Sequence, residues 1–114
     1  MFDPTAILTS EVRIGEGAYV GRRAVINPGS RIGTCAIVNT GAIVEHDCEV
    51  GDFAHVSPGT VLCGEVRVGK DAHVGAGSVV RQQIEIGDLT VIEIGNAVVK
   101  SIPPNTTTLE TLAG

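Results

Sequence analysis

The stretch Ile43–Val61, IVEHDCEVGDFAHVSPGTV, places an aliphatic residue at every sixth position, Val44, Val50 and Val56. Stepping outward by six in both directions extends this series to sixteen residues without an exception: Leu8, Ile14, Val20, Ile26, Ile32, Val38, Val44, Val50, Val56, Leu62, Val68, Val74, Val80, Ile86, Ile92 and Val98. A period of six fits neither a helix nor a two-faced strand, and it is typical of hexapeptide parallel β-helices. The sequence therefore predicts an all-β fold in which no helix is needed.

A second series, two positions before each aliphatic residue, consists mostly of small residues such as Ala42, Cys48 and Ala54. The pattern small, variable, aliphatic predicts a short strand pointing in, out and in, because alternate side chains leave opposite faces of a strand. The other three residues of each hexad turn a corner. Three hexads close an 18-residue coil, so residues 18 apart lie one above another, at about 4.8 Å between coils. We predict about five coils.

The hexads set the expected domain boundaries. They run without an insertion as far as the proline pair Pro103–Pro104, and the last ten residues, NTTTLETLAG, do not follow the pattern. We therefore assign residues 1–104 to one β-helix domain and residues 105–114 to a C-terminal tail.

The outward residue of each strand falls into one of three columns. The apolar face carries Ile7, Val25, Ile43, Val61, Val79 and Ala97; the charged face carries Arg13, Arg31, Glu49, Arg67 and Glu85; the mixed face carries Tyr19, Ile37, His55, His73 and Val91. A continuous aliphatic stripe pointing outward usually marks a partner surface. If the apolar face packs on the mixed face of the next subunit, the contact is head-to-tail and must close into a ring. Three-sided prisms predict a homotrimer.

Composition excludes several classes of function. The formal net charge is −5, and no basic run with interleaved aromatic residues is present, so we expect no nucleic-acid partner. No apolar run is long enough to span a membrane and the N-terminus does not resemble a signal peptide, which makes the cytoplasm the expected location. Three cysteines without CxxC spacing argue against a thiolate zinc site.

The three histidines take defined places on the 18-residue grid. His46 lies at a corner with Gly64 one coil above it, where a small acyl group could fit; alternatively Gly64 only relaxes a corner and His46 is an exposed turn residue. His46 and His55 are half a coil apart, so they share a site only if different subunits supply them. His73 stacks on His55, and we expect it to be structural. Spacings of 9 and 18 do not match a histidine zinc site, and we predict no metal.

Three motifs carry a resemblance to a known family: NTGAIVEHDC at 39–48, VGDFAHVSPG at 50–59 and LCGEV at 62–66. They resemble the left-handed β-helix domain of the sialic-acid O-acetyltransferase and UDP-amino-sugar N-acetyltransferase family, within the hexapeptide-repeat acyltransferases. The left hand of the predicted helix rests on this resemblance alone.

The resemblance implies an acetyl-CoA-dependent acetyltransferase that modifies an amine or hydroxyl of a small acceptor, such as an amino sugar. His46 would be the general base and Asp47 would orient its imidazole. His55 from the adjacent subunit and the Gly64 N–H would lie near the thioester. The pantetheine arm of acetyl-CoA would pass a small-residue segment, Gly75, Ala76 and Gly77.

Two departures from the family keep a second interpretation open. Members of known sugar specificity carry an N-terminal nucleotide-binding domain, whereas this sequence starts at the β-helix. The segment VIEIGNAVV has Glu93 and Ile94 where IGAG is usual, and the tail lacks the usual Gly-x-Pro-Ala. The alternative is a non-catalytic trimeric scaffold or binding module that has lost acceptor and coenzyme contacts. A metal-dependent hydratase is a third, less favoured interpretation.

Overall fold

The computed structural model describes residues 1–108, which form sixteen strands of two residues each and no helix. The strands are β1 (Ile7–Leu8), β2 (Arg13–Ile14), β3 (Tyr19–Val20), β4 (Val25–Ile26), β5 (Arg31–Ile32), β6 (Ile37–Val38), β7 (Ile43–Val44), β8 (Glu49–Val50), β9 (His55–Val56), β10 (Val61–Leu62), β11 (Arg67–Val68), β12 (His73–Val74), β13 (Val79–Val80), β14 (Glu85–Ile86), β15 (Val91–Ile92) and β16 (Ala97–Val98). Accordingly, no helix in this part of the chain could cross a membrane.

Every third strand belongs to the same parallel sheet. The apolar face is the sheet β1-β4-β7-β10-β13-β16, the charged face is β2-β5-β8-β11-β14, and the mixed face is β3-β6-β9-β12-β15. Partners are 18 residues apart throughout; Val61, for example, lies between Ile43 and Val79. The predicted β-helix of about five 18-residue coils is confirmed, in a prism with principal extents of 39 × 21 × 21 Å.

The core is a stack of aliphatic layers along the axis of the prism. Ile26, Val44 and Leu62, one above another on the apolar sheet, are fully buried, and the small register adds residues such as Ala24 and Ala42 at its edges. Each coil therefore contributes three branched side chains and three smaller ones. Because the small residues lie where the sheets meet, they let the three walls approach closely, which bulkier side chains would prevent.

Glycines occupy two kinds of corner position for two different physical reasons. Those one residue after an aliphatic position pack against the next coil: a Cβ on Gly51 would lie 2.8 Å from the carbonyl carbon of Gly69. Those three residues after it adopt the left-handed conformation, as at Gly41 with φ 67°, and have open space around them. Non-glycine residues such as Phe53 fill other left-handed positions at a conformational cost.

The two ends of the prism extend the stack beyond the sixteen strands. Phe2 bridges Val20 at one end, and Thr107 bridges Val91 at the other. Thr108 is buried and its N–H donates to the Val91 carbonyl at 2.9 Å. Residues 105–108 of the predicted tail thus pair with the mixed sheet, while 109–114 lie outside the described residues and the boundary at residue 104 stays a prediction.

The two classes of glycine predict different costs of substitution. Gly51→Ala should destabilise the fold by about 3 kcal/mol, because the new methyl group collides with backbone atoms of the next coil. Gly41→Ala should cost about 1 kcal/mol, because only the backbone conformation is strained. Urea denaturation at one fixed protein concentration measures both values. Equal costs for the two variants would contradict the close packing of coils.

Candidate active site

His46 and Asp47 lie at the corner between β7 and β8, where the apolar face meets the charged face. The Nδ1 atom of His46 and the Oδ2 atom of Asp47 are 3.0 Å apart. The two side chains are 59% and 62% exposed in the single chain. The carboxylate accepts a hydrogen bond from Nδ1–H, so the other ring nitrogen, Nε2, is left unprotonated and able to accept a proton.

Gly64 provides the space for the imidazole of His46. A Cβ at Gly64 would overlap His46 Nε2 and would lie 2.8 Å from Cε1. Gly64 does not have a positive φ, so the corner does not need glycine for its backbone conformation. The structure thus brings His46, Asp47 and Gly64 together, as the 18-residue spacing indicates, and the requirement for glycine comes from the ring above which it lies.

Gly29 is a member of this site that sequence reasoning missed. It lies one coil below Asp47, and a Cβ there would overlap Asp47 Oδ1 and lie 3.1 Å from Cγ. The histidine–aspartate pair is therefore held between two glycines, one under the carboxylate and one over the imidazole. Counting 18 residues back from Asp47 would have found it, just as counting forward from His46 found Gly64.

The surroundings of His46 favour its protonated form. The hydrogen bond from Nδ1 to Asp47 raises the pKa of His46 above 6.5, against a small opposing effect of burial. The negative charges of Asp47, Glu65 and Glu45 raise this pKa further. Three carboxylates near one imidazole make a site that stabilises the imidazolium formed when His46 takes up a proton.

His55 occupies the mixed face on β9, half-buried and away from the His46 corner of the same chain. The Asn39 side chain, which sequence reasoning missed, fixes its protonation state. The Asn39 carbonyl oxygen accepts the Thr40 N–H at 2.8 Å, so its amide NH₂ faces His55 Nε2 at 3.1 Å. Since Nε2 accepts this bond, Nδ1 of neutral His55 carries the proton. Burial, and secondarily the charge of His73, lower the pKa of His55 below 6.5.

His73 stacks directly on His55, as the spacing of 18 indicates. The ring centroids are 4.8 Å apart in an edge-to-face arrangement, and Ser57 Oγ is 3.2 Å from His73 Nε2. Within residues 1–108 no group of three or more His, Cys, Asp or Glu side chains is arranged to hold a metal ion.

Gly75, Ala76 and Gly77 form the corner between β12 and β13, where the mixed face meets the apolar face. A Cβ on Gly75 would lie 2.6 Å from the Ile92 carbonyl oxygen, so coil packing alone requires this glycine. Gly77 has φ 72°, and a Cβ added to it would meet no other atom within 4 Å. Within one chain this corner and His55 lie apart from the His46 corner.

A three-sided β-helix with a histidine–carboxylate pair at one corner defines the class of hexapeptide-repeat acyltransferase domains. Among solved structures, the acetyltransferase domain of PglB from Neisseria gonorrhoeae FA1090 is 36% identical, with a TM-score of 0.93 over 94% of this chain and 52% of that chain. PerB from Caulobacter crescentus, in complex with CoA and GDP-perosamine, is 40% identical, with a TM-score of 0.90 over 91% of this chain and 50% of that chain. The chain thus spans about half the length of these relatives.

The resemblance to left-handed β-helix acyltransferases is confirmed by these comparisons. A coil of the opposite hand would not superpose at such TM-scores, so the chain shares the left hand of these domains. A second structure of the PglB domain holds acetyl coenzyme A. No protein-family model and no curated protein sequence matches the chain.

The contact between His46 and Asp47 predicts a pH signature. Asp47→Asn should lower the pKa of His46 toward 6.5, because it removes the largest cause of the increase, whereas Asp71→Asn, the same change at an exposed corner, should leave it unchanged. Imidazole NMR titration measures both, and wild-type His55 should titrate below His46. An unchanged His46 pKa in Asp47→Asn would show that the hydrogen bond does not form in solution.

Proposed function

We propose that the chain is an acetyl-CoA-dependent acetyltransferase that transfers an acetyl group to an amine or hydroxyl of a small acceptor such as an amino sugar. The observation that carries the proposal is the His46–Asp47 pair, whose free Nε2 lies at the exposed corner beside the backbone of Gly64. The neighbours support the choice of substrates, since PglB was solved with acetyl coenzyme A and PerB with CoA and GDP-perosamine.

His46 acts as the general base of the proposed reaction. Its Nε2 removes the proton from the acceptor amine or hydroxyl as that atom attacks the thioester carbonyl carbon. The new C–N or C–O bond forms, the C–S bond breaks, and the imidazolium returns the proton to the departing CoA sulfur. Asp47 keeps the proton on Nδ1 in the resting state and stabilises the imidazolium, which is consistent with the raised pKa of His46.

Gly64 supplies the contact that stabilises the tetrahedral intermediate. Its carbonyl accepts the Gln83 N–H at 3.0 Å, while its own N–H makes no hydrogen bond within residues 1–108. A backbone N–H without a partner beside a general base is suited to donate to the oxyanion that develops from the thioester carbonyl. Any side chain at this position would displace the imidazole as well.

A homotrimer would complete the site. The apolar face includes large exposed side chains, Ile7 at 55% and Val79 at 47%, in a column that is aliphatic from end to end. Packing this face against the mixed face of the next subunit buries the stripe and brings His55 of the partner subunit toward the His46 corner. Each of the three clefts would then hold one coenzyme, with Gly75, Ala76 and Gly77 beside the pantetheine arm. Cytoplasmic acetyl-CoA would be the acyl source.

One observation favours a second candidate, a non-catalytic trimeric scaffold or binding module. Ile94 lies one coil above Ala76, at the corner proposed for the coenzyme, and its side chain is 76% exposed. A large apolar side chain there narrows the path along which small residues would otherwise let the pantetheine pass. Loss of coenzyme binding would leave only the assembly function.

Acetyl-CoA binding and turnover separate these two candidates. Millimolar acetyl-CoA should raise the melting temperature, because a ligand that binds only the folded state stabilises it. His46→Ala should keep this shift but reduce thiol release with amino-sugar acceptors by about 10²–10⁴-fold. Ser10→Ala, at an exposed site of the same corner two coils below, is the control and should retain full turnover. No shift with acetyl-CoA would favour the scaffold, and full turnover by His46→Ala would remove the base from the mechanism.

The trimer is tested by sedimentation velocity at micromolar protein. The wild-type protein should sediment as a trimer, and Val61→Glu, which places a charge in the middle of the apolar face, should sediment as a monomer. Arg13→Glu places the same residue on the charged face and should remain trimeric. A monomeric wild-type protein would contradict the assignment of the apolar face to a subunit contact.

A further inference from the structure

A buried hydroxyl lies directly beneath the corner that carries His46 and Asp47. Ser30 is fully buried, and its Oγ–H donates to the Glu45 carbonyl at 2.7 Å. The same oxygen accepts the Cys48 N–H at 3.0 Å. Glu45 and Cys48 are the residues on either side of the His46–Asp47 pair, so one hydroxyl from the coil below ties together both ends of the corner.

The corner one coil higher is held by a thiol in the same column. The Cys48 side chain is fully buried and its Sγ–H donates to the Cys63 carbonyl at 3.1 Å. Burial raises the pKa of this thiol to about 11, which keeps it protonated and able to donate. Cys63 opens the corner that contains Gly64, so the two corners of the site are each supported by an inward-pointing donor.

The position of these two donors along the column follows the site. The inward residues at this corner are, from the first coil upward, Val12, Ser30, Cys48, Val66 and Ile84. The aliphatic members offer no hydrogen bond to the corner above them. The two members that do offer one support the corners of His46 and Gly64.

We propose that Ser30 is a positioning residue that sets the His46–Asp47 pair in its reactive geometry, an inference that rests on the proposed acetyltransferase function. The rest of the corner is held by only two backbone contacts, from Asp47 N–H to the Pro28 carbonyl at 3.0 Å and from Glu65 N–H to the His46 carbonyl at 2.9 Å. Without the hydroxyl, the Glu45 carbonyl and the Cys48 N–H lose their partner inside the prism. The corner must then shift to satisfy them, and His46 moves with it.

Ser78 provides a matched comparison for this role. It is also fully buried, donates from Oγ to the Glu93 carbonyl at 3.2 Å and accepts the Asn96 N–H at 3.3 Å. It therefore makes the same pair of contacts at a corner between the mixed and apolar faces. A hydroxyl that serves only folding would behave alike at both positions.

The experiment compares Ser30→Ala, Ser78→Ala and Ser30→Cys in the full chain under reducing conditions. Cys48, one coil above Ser30, shows that a thiol fits at this position and donates to the next corner. Imidazole NMR titration gives the pKa of His46, whose charged neighbours are Asp47, Glu45 and Glu65. Steady-state thiol release gives kcat and the KM for acetyl-CoA.

Ser30→Ala should lower the pKa of His46 toward 6.5, because the hydrogen bond to Asp47 is loosened, and should reduce kcat by about tenfold with the KM for acetyl-CoA unchanged. Ser78→Ala should lose comparable stability with no change in the pKa of His46 or in kcat. Ser30→Cys should restore part of both values. Equal behaviour of the two alanine variants, or a normal His46 pKa in folded Ser30→Ala, would overturn the proposal.

The two readouts separate this proposal from the proposed function. If His46→Ala keeps full turnover, the acetyltransferase mechanism fails whatever Ser30 does. The NMR titration reports the geometry of the His46–Asp47 corner even when no acceptor is turned over. A shifted His46 pKa in Ser30→Ala without measurable turnover in the wild-type protein would therefore support the positioning of the pair and reject the enzyme.

Discussion

The parallel backbone pairing of residues 18 apart is the constraint on which the rest of the structure depends. Each two-residue strand is too short to be stable alone, and it persists because it lies between the strands of the coils above and below it, as Val61 lies between Ile43 and Val79. The pairing fixes which side chains stack, which corners superpose and which faces form. Chemistry at any corner is thus set by three residues in a vertical column.

The site uses this vertical order in a position that is costly for the backbone. Asp47 adopts a left-handed conformation with φ 57°, which a non-glycine residue holds only when its surroundings enforce it. Gly29 below and Gly64 above leave the space that the pair needs, and Ser30 bridges the ends of the corner. An exposed histidine–aspartate pair is therefore held by backbone and buried groups rather than by packing of its own side chains.

Period arithmetic predicted the vertical neighbours and failed for the diagonal ones. The coils, the three faces and the pair His46–Gly64 all follow from steps of 6 and 18, and the structure contains each of them. Asn39 reaches His55 across 16 residues and Ser30 reaches Glu45 across 15, because side-chain length and rotamer, not the backbone repeat, decide these contacts. The two reasons for corner glycines were also hidden, since both classes look alike in sequence.

The repeat without insertions has a consequence for how such a protein can change in length. Each coil contacts only the coils next to it, so the prism is nearly one-dimensional and its parts are interchangeable units. The His46 corner lies in the third coil, with complete coils on both sides. Gain or loss of 18 residues at either end would leave every column near the corner intact, whereas a single inserted residue within the prism would rotate all later residues off their faces. Evolution of this chain is thus quantised in whole coils.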